Sequence, residues 1–182
     1  YNWSADGGQS YPYRGQGIRI PSFTEVLEHT PAKAKVIEIK VPDVGMEALL
    51  CDALTAHQQL DRVIVGSFYD RSLQLFREQC PGVATSAGPG SVRMLVALNW
   101  VGLSPSYQAL QIPEAHNGLA IASPSLLKAA ALRGLNVQLW TINEQPDMRR
   151  LLDLGAHALI TDYPDRALQV LGRSTQISAL ED

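Results

Sequence analysis

Apolar positions along this chain switch between a period of two and a helical period, and each switch marks an element. Residues 35–40 (KVIEIK) form a short β-branched run that reads as a strand, and residues 43–59 follow with Met46, Leu49, Leu50 and Leu54 at helical spacing. Residues 62–68 (RVIVGSF) repeat the strand. Asp70 then reads as the N-cap of a helix carrying Leu73, Leu75 and Phe76 until Pro81-Gly82 stops it. Residues 83–86 read as a short strand, 91–101 as a helix, and 104–117 as a loop punctuated by Pro105 and Pro113 ahead of Gly118. A further strand is expected over 119–122. Ser123 caps and Pro124 opens a helix over 125–133, which Gly134 ends. Residues 135–164 hold a strand at 137–140, a helix at 145–154 ended by Gly155, and a strand at 158–161, before a closing helix near Asp165. A short helix at 18–30 leads into the first strand.

This strand–helix alternation is the grammar of a parallel α/β sheet. About five clear strands, each followed by a helix, suit a TIM-type (β/α)8 barrel of roughly 250 residues that is truncated at its N-terminal side. On this reading residues 1–182 are the C-terminal portion of a single barrel domain: 1–17 an internal loop, 18–172 the barrel and 173–182 a tail. Five of eight strands would leave two unpaired edges. In such barrels the site lies at the C-terminal ends of the strands, where Trp140, Asn143 and Asp162 fall.

Composition narrows the partners. With 46% hydrophobic residues in 182 the chain can bury a substantial core as one globular unit. The net charge of -3 is spread over interspersed acids and bases, so no basic stripe recommends a nucleic acid and no cationic amphipathic helix an anionic membrane. No apolar run reaches the roughly 18 residues of a transmembrane segment. Cys51 and Cys80 sit in no ligand-like spacing and read as two ordinary thiols. Small molecules and lipid headgroups remain as ligands, and a cytoplasmic location is favoured.

Glu38 and Lys40 lie two apart on one strand and share a face, with Ile37 and Ile39 on the other. An inward carboxylate near a strand's C-terminal end needs a cation, and a hard divalent ion is one candidate. The alternative is a solvated Glu–Lys pair on an exposed edge. Phe68 reads as core filling or as a pocket wall, and Trp140 as a core cover or as an amphipathic surface for a polyol. Asn143 can cap the helix near Gln145, and Asp162 can shape the turn before Tyr163-Pro164. His29, His57 and His157 fall away from the expected rim and His116 lies in the loop, so no general base is apparent.

IRIPSFTEVL, KVIEIK, RVIVGSF and LNVQLWTINEQPDMRRLLDLGAHALITDYPD occur in the order and spacing of the glycerophosphodiester phosphodiesterase family, which residues 17–171 resemble. The resemblance implies a barrel hydrolysing glycerophosphodiesters to an alcohol and glycerol 3-phosphate with a divalent cation, Ca2+ or Mg2+. Glu38 matches the family's third metal carboxylate, Lys40 the lysine on the phosphate, Trp140 the aromatic on the glycerol side, and Phe68 a pocket wall. The family's HRG and HD motifs, which carry the acid and base histidines, and its ExD metal motif are absent from this chain. The chain by itself is therefore expected to be inactive. Tyr163 in ITDYP, where many members have arginine, resembles the branch with lysophospholipid-cleaving, lysophospholipase D-type relatives; their acyl chain would need an apolar groove, placed over 103–112. Sphingomyelinase D-like barrels are a remoter relation. A non-catalytic half-barrel, or pseudo-enzyme interaction module, is the reading from outside enzymology.

Overall fold

The computed structural model describes residues 4, 6–42, 45–98 and 105–174, apart from the side chains of 97 and 98. Asp43, Val101 and Leu103, expected above as limits of helices or of the groove, lie outside the described residues, as does the tail from 175 on. In chain order the elements are α1 (Phe23–His29), β1 (Lys35–Ile39), α2 (Met46–Ala56), β2 (Val63–Ser67), α3 (Asp70–Gln79), β3 (Ala84–Thr85) and α4 (Pro89–Leu98). They continue with β4 (Ala109–Pro113), β5 (Ala115–His116), β6 (Leu119–Ala120), α5 (Pro124–Ala131), β7 (Asn136–Trp140), α6 (Gln145–Asp153), β8 (Ala158–Leu159) and α7 (Pro164–Val170).

Among the described residues six strands run parallel. β1, β2 and β3 pair in that order, as do β4, β7 and β8. A parallel bridge between Ser86 and Ala109 joins the two groups, reinforced by Gln108 N–H donating to Thr85 O at 2.9 Å and Ala87 N–H to Ala109 O at 2.8 Å. Arg77 pins the same joint from α3: its Nε donates to Thr85 Oγ1 at 2.8 Å and a terminal nitrogen to Ser86 O at 2.9 Å. Burial pushes this guanidinium below its ordinary pKa and the nearby Tyr107 phenol above its own.

The strands alternate sides as period two requires. Ile39, Val63, Val65, Val137 and Leu139 are buried among the helices, in two apolar clusters centred on Leu54 and Phe76 and on Met148 and Leu151. Glu38, Gly66, Ser86, Gln111 and Gln138 fall outside those clusters, on the other face. Local signals close the helices as expected in several places. Ser22 and Glu25 form a capping box on α1, Ser123 Oγ accepts from Leu126 N–H on α5, and Gly134 and Gly155 take positive φ past α5 and α6. No helix among the described residues is long and apolar enough to cross a membrane.

The structure corrects four expectations. Residues 104–117 are not a plain loop, since β4 lies within them. Its apolar ALQIP run ends in Pro113, a residue tolerated at a strand end, which disguised the strand as punctuation. Residues 119–122 supply no sheet strand: β6 pairs only with β5, as an antiparallel hairpin. The parallel strands thus number six rather than about five. Asp70 does not cap its own helix. Tyr69 is the N-cap of α3 without a side-chain bond, and the Asp70 carboxylate accepts from Gly90 N–H at 2.9 Å, in the first turn of α4.

The fourth correction concerns the cysteines, which form a disulfide between the body of α2 and the C-cap of α3, with Cα atoms 5.6 Å apart. Their separation of 29 residues is one helix–strand–helix repeat, which sets neighbouring outer helices side by side in a parallel sheet. Closing a loop of that length restricts the unfolded chain by about 3–4 kcal/mol in the chain-entropy account. The double variant Cys51→Ser/Cys80→Ser is expected to lose stability of about that size in urea unfolding, and reductant should reproduce the loss in the parent but leave the variant unchanged.

Candidate functional site

The side chains at the C-terminal ends of the strands surround a cavity of about 1030 Å³. Val36, Glu38 and Lys40 reach it from β1 and its end, Phe68 from the end of β2, Gln111 from β4, Trp140 from β7, and Ile160 from just past β8. The sequence-predicted residues Glu38, Lys40, Phe68 and Trp140 are thus brought together, as a shared-face argument on β1 and strand-end positions on β2 and β7 anticipate.

The sheet is strongly curved there. Three strand spacings of about 4.8 Å, roughly 14 Å, separate β2 from β7 along the sheet. Yet the Phe68 and Trp140 rings stand 5.7 Å apart, edge to face at 80°. Such a pair stabilises by about 0.5–1.5 kcal/mol beyond its buried area. Phe68 is nevertheless 59% exposed, so it is a wall of the cavity and not core filling. Trp140, partly buried, is followed by a cis peptide bond to Thr141.

Glu38 Oε2 and Lys40 Nζ are 2.7 Å apart. With 73% of the Lys40 side chain exposed, the pair adds only about 0–1 kcal/mol to stability, so its ammonium can turn to a stronger anion at little cost. A divalent cation of the hard kind takes about six to eight oxygen ligands. Among the described residues no group of three or more His, Cys, Asp or Glu is arranged to hold a metal, and Asp70, the other acid on the cavity, already receives Gly90 N–H. The described residues alone therefore do not fit a metal centre.

Asn143 and Asp162 are not brought to the cavity wall. Asn143 does not cap α6, whose N-cap is Glu144. Its Oδ1 accepts from Asp162 N–H at 3.0 Å and Thr161 Oγ1 at 3.1 Å, while its Nδ2 donates to Asp162 Oδ2 at 3.0 Å. Arg166 adds a bond to Asn143 O at 2.9 Å. The loop after β7 and the turn after β8 are thereby clamped together, which steadies Trp140 from behind.

Among the cavity residues that escaped the sequence reading are Asp70, Arg93, Gln111 and His116. His116 is presented by the β5–β6 hairpin, whose turn at Asn117-Gly118 has φ of 50° and 79°. Asn-Gly is a strong hairpin signal and could have revealed it. Arg93 shares one face of α4 with Pro89, Val92 and Val96, an i, i+3, i+4, i+7 set turned to the cavity.

Parallel strands alternating with helices, with a cavity at the strands' C-terminal rim, mark an α/β domain of the barrel type. The chain belongs to the glycerophosphoryl diester phosphodiesterase family, whose profile matches residues 3–166. It is 30% identical to the glycerophosphodiester phosphodiesterase of Bacillus subtilis over 86% of this chain and 57% of that protein. Solved structures agree in fold. The glycerophosphoryl diester phosphodiesterase domain of a Mycobacterium tuberculosis protein superposes with a TM-score of 0.71 at 14% identity, covering 95% of this chain and 70% of that one. The glycerophosphodiester phosphodiesterase of Agrobacterium tumefaciens gives 0.67 at 17%, covering 84% and 62%. The chain spans about three fifths of the length of the curated relatives it matches.

The clamp is separable from the cavity. Asn143→Ala is expected to cost about 1–2 kcal/mol in thermal or urea unfolding while changing glycerol 3-phosphate affinity by less than about twofold. A loss of affinity beyond the loss of stability would make Asn143 a ligand residue.

Proposed function

We propose that the cavity is the glycerophosphodiester-binding part of a phosphodiesterase site. Convergence of Lys40, Glu38 and Trp140 on one rim, in a chain of this family, carries the reading. Hydrolysis forms a bond from water to phosphorus and breaks the bond to the alcohol; water loses a proton and the departing alcohol gains one. Negative charge grows on the equatorial oxygens meanwhile. Lys40 leaves Glu38 for those oxygens and stabilises them more as the charge grows. Trp140 lies flat against the glycerol carbons while its indole N–H remains available to a hydroxyl, and Phe68 holds that ring edge-on.

Glu38, freed from Lys40, would offer one carboxylate toward a divalent cation, Ca2+ or Mg2+, but one carboxylate does not by itself hold such an ion. Among the described residues no pair of histidines lines the cavity, and on this reading the 182-residue chain by itself lacks the acid and base for the two proton transfers. Val92, Val96, Ile121 and Ile160 give the cavity an apolar side that also accommodates a lysophospholipid chain. The disulfide favours an oxidising compartment over the cytoplasm expected from sequence.

The isolated chain is expected to release no glycerol 3-phosphate from glycerophosphocholine above the uncatalysed background in a coupled dehydrogenase assay. It should still bind glycerol 3-phosphate, with affinity falling about tenfold in Lys40→Ala. Turnover at an enzyme-like rate would refute the missing acid and base. A folded chain indifferent to glycerol 3-phosphate would refute the site, and a chain that elutes as a stable dimer without binding would favour the interaction module.

A further inference from the structure

The side chains of Arg93 and His116 line the cavity but enter none of the roles above. They come from different elements, α4 and the β5–β6 hairpin, and both are exposed. Neither has a hydrogen-bond or ion-pair partner among the described residues, whereas Lys40 on the same cavity is paired with Glu38. Arg93 is also the one charged position on an otherwise apolar helix face, between Val92 and Val96.

We propose that Arg93, assisted by His116, is a specificity-determining residue that reads the leaving alcohol and selects one carrying an anionic group. The inference rests on the binding role of the cavity proposed above. Lys40 and Trp140 take the phosphate and the glycerol from β1 and β7, which leaves α4 and the hairpin for the remaining third of the ligand. A guanidinium presents a planar fork of donors that fits a carboxylate or phosphate two bonds at a time. The same fork repels a quaternary ammonium, so the unpaired Arg93 discriminates twice between an acidic alcohol and choline. His116 contributes an imidazole nitrogen as a further donor to the acidic group. Neither acid on the cavity pairs with Arg93: Glu38 is engaged with Lys40, and Asp70 accepts from Gly90 N–H.

The test compares two diesters of glycerol 3-phosphate on the same 182-residue chain by NMR titration, one with inositol 4-phosphate and one with choline. The parent is expected to bind the phosphoinositol diester more tightly. Arg93→Gln should weaken that diester by about tenfold and the choline diester by less than about twofold, Arg93→Lys should recover part of the difference, and His116→Gln should give a smaller loss of the same selectivity. Equal losses on both diesters, or no loss on either, would overturn the role of Arg93 and leave the binding site standing, provided Lys40→Ala still weakens both. A parent that binds neither diester nor glycerol 3-phosphate would overturn the site and this inference together.

Discussion

The close approach of β2 to the strands across from it is the constraint on which the rim depends. At Gly66 a single added carbon would overlap Gln111 Oε1 and stand 3.2 Å from Ser86 Oγ, so a side chain there would have to displace Gln111 from its place on the inner face. Gln111 is itself held, donating to Gln138 Oε1 at 2.9 Å across β4 and β7. This small polar layer lets the sheet curl tightly enough for Phe68 and Trp140 to touch from strands that are three steps apart. It also forms the floor on which the cavity stands. A flatter sheet would set the same residues on one surface without enclosing anything.

Division of labour between the two faces follows from that curl. The helix side carries the apolar clusters and the disulfide, which hold the molecule together. The inner side carries, above the part-buried Gln111–Gln138 bond, the Glu38–Lys40 pair, whose exposed pairing contributes little to stability. Polar side chains that stabilise weakly are the ones free to change partners when a ligand arrives. Asp70 links the two sides, since its carboxylate fixes the start of α4 and thereby places the face that bears Arg93.

Elements with strong periodicity were legible from sequence: KVIEIK, RVIVGSF and the 135–164 unit each keep one period long enough to exclude the other, and their ends fall within a residue or two of those expected. So were Glu38 and Lys40, because period two fixes their common face whatever the sheet does. The middle was not. In ALQIP a five-residue strand ends in proline, and the hairpin after it is too short to show any period. His116 was lost with the hairpin; Arg93 lies on a helix expected over 91–101, but only the placement of α4 brings it to the cavity that Lys40 lines. The disulfide was hidden for a related reason: a 29-residue spacing means nothing until two successive outer helices are known to lie side by side.

On the function proposed above, binding and chemistry are separable in this chain. Phosphate affinity asks only for a cation able to exchange partners, and Lys40 is one whatever else is present. Headgroup choice asks for unpaired donors away from the phosphate, which α4 and the hairpin provide. Proton transfer asks for an acid and a base at the leaving and attacking oxygens, and among the described residues no pair of histidines lines the cavity. With the proposed recognition groups on β1, β7, α4 and the hairpin and no histidine pair among the described cavity residues, selectivity is open to dissection as binding free energy, without turnover entering the comparison.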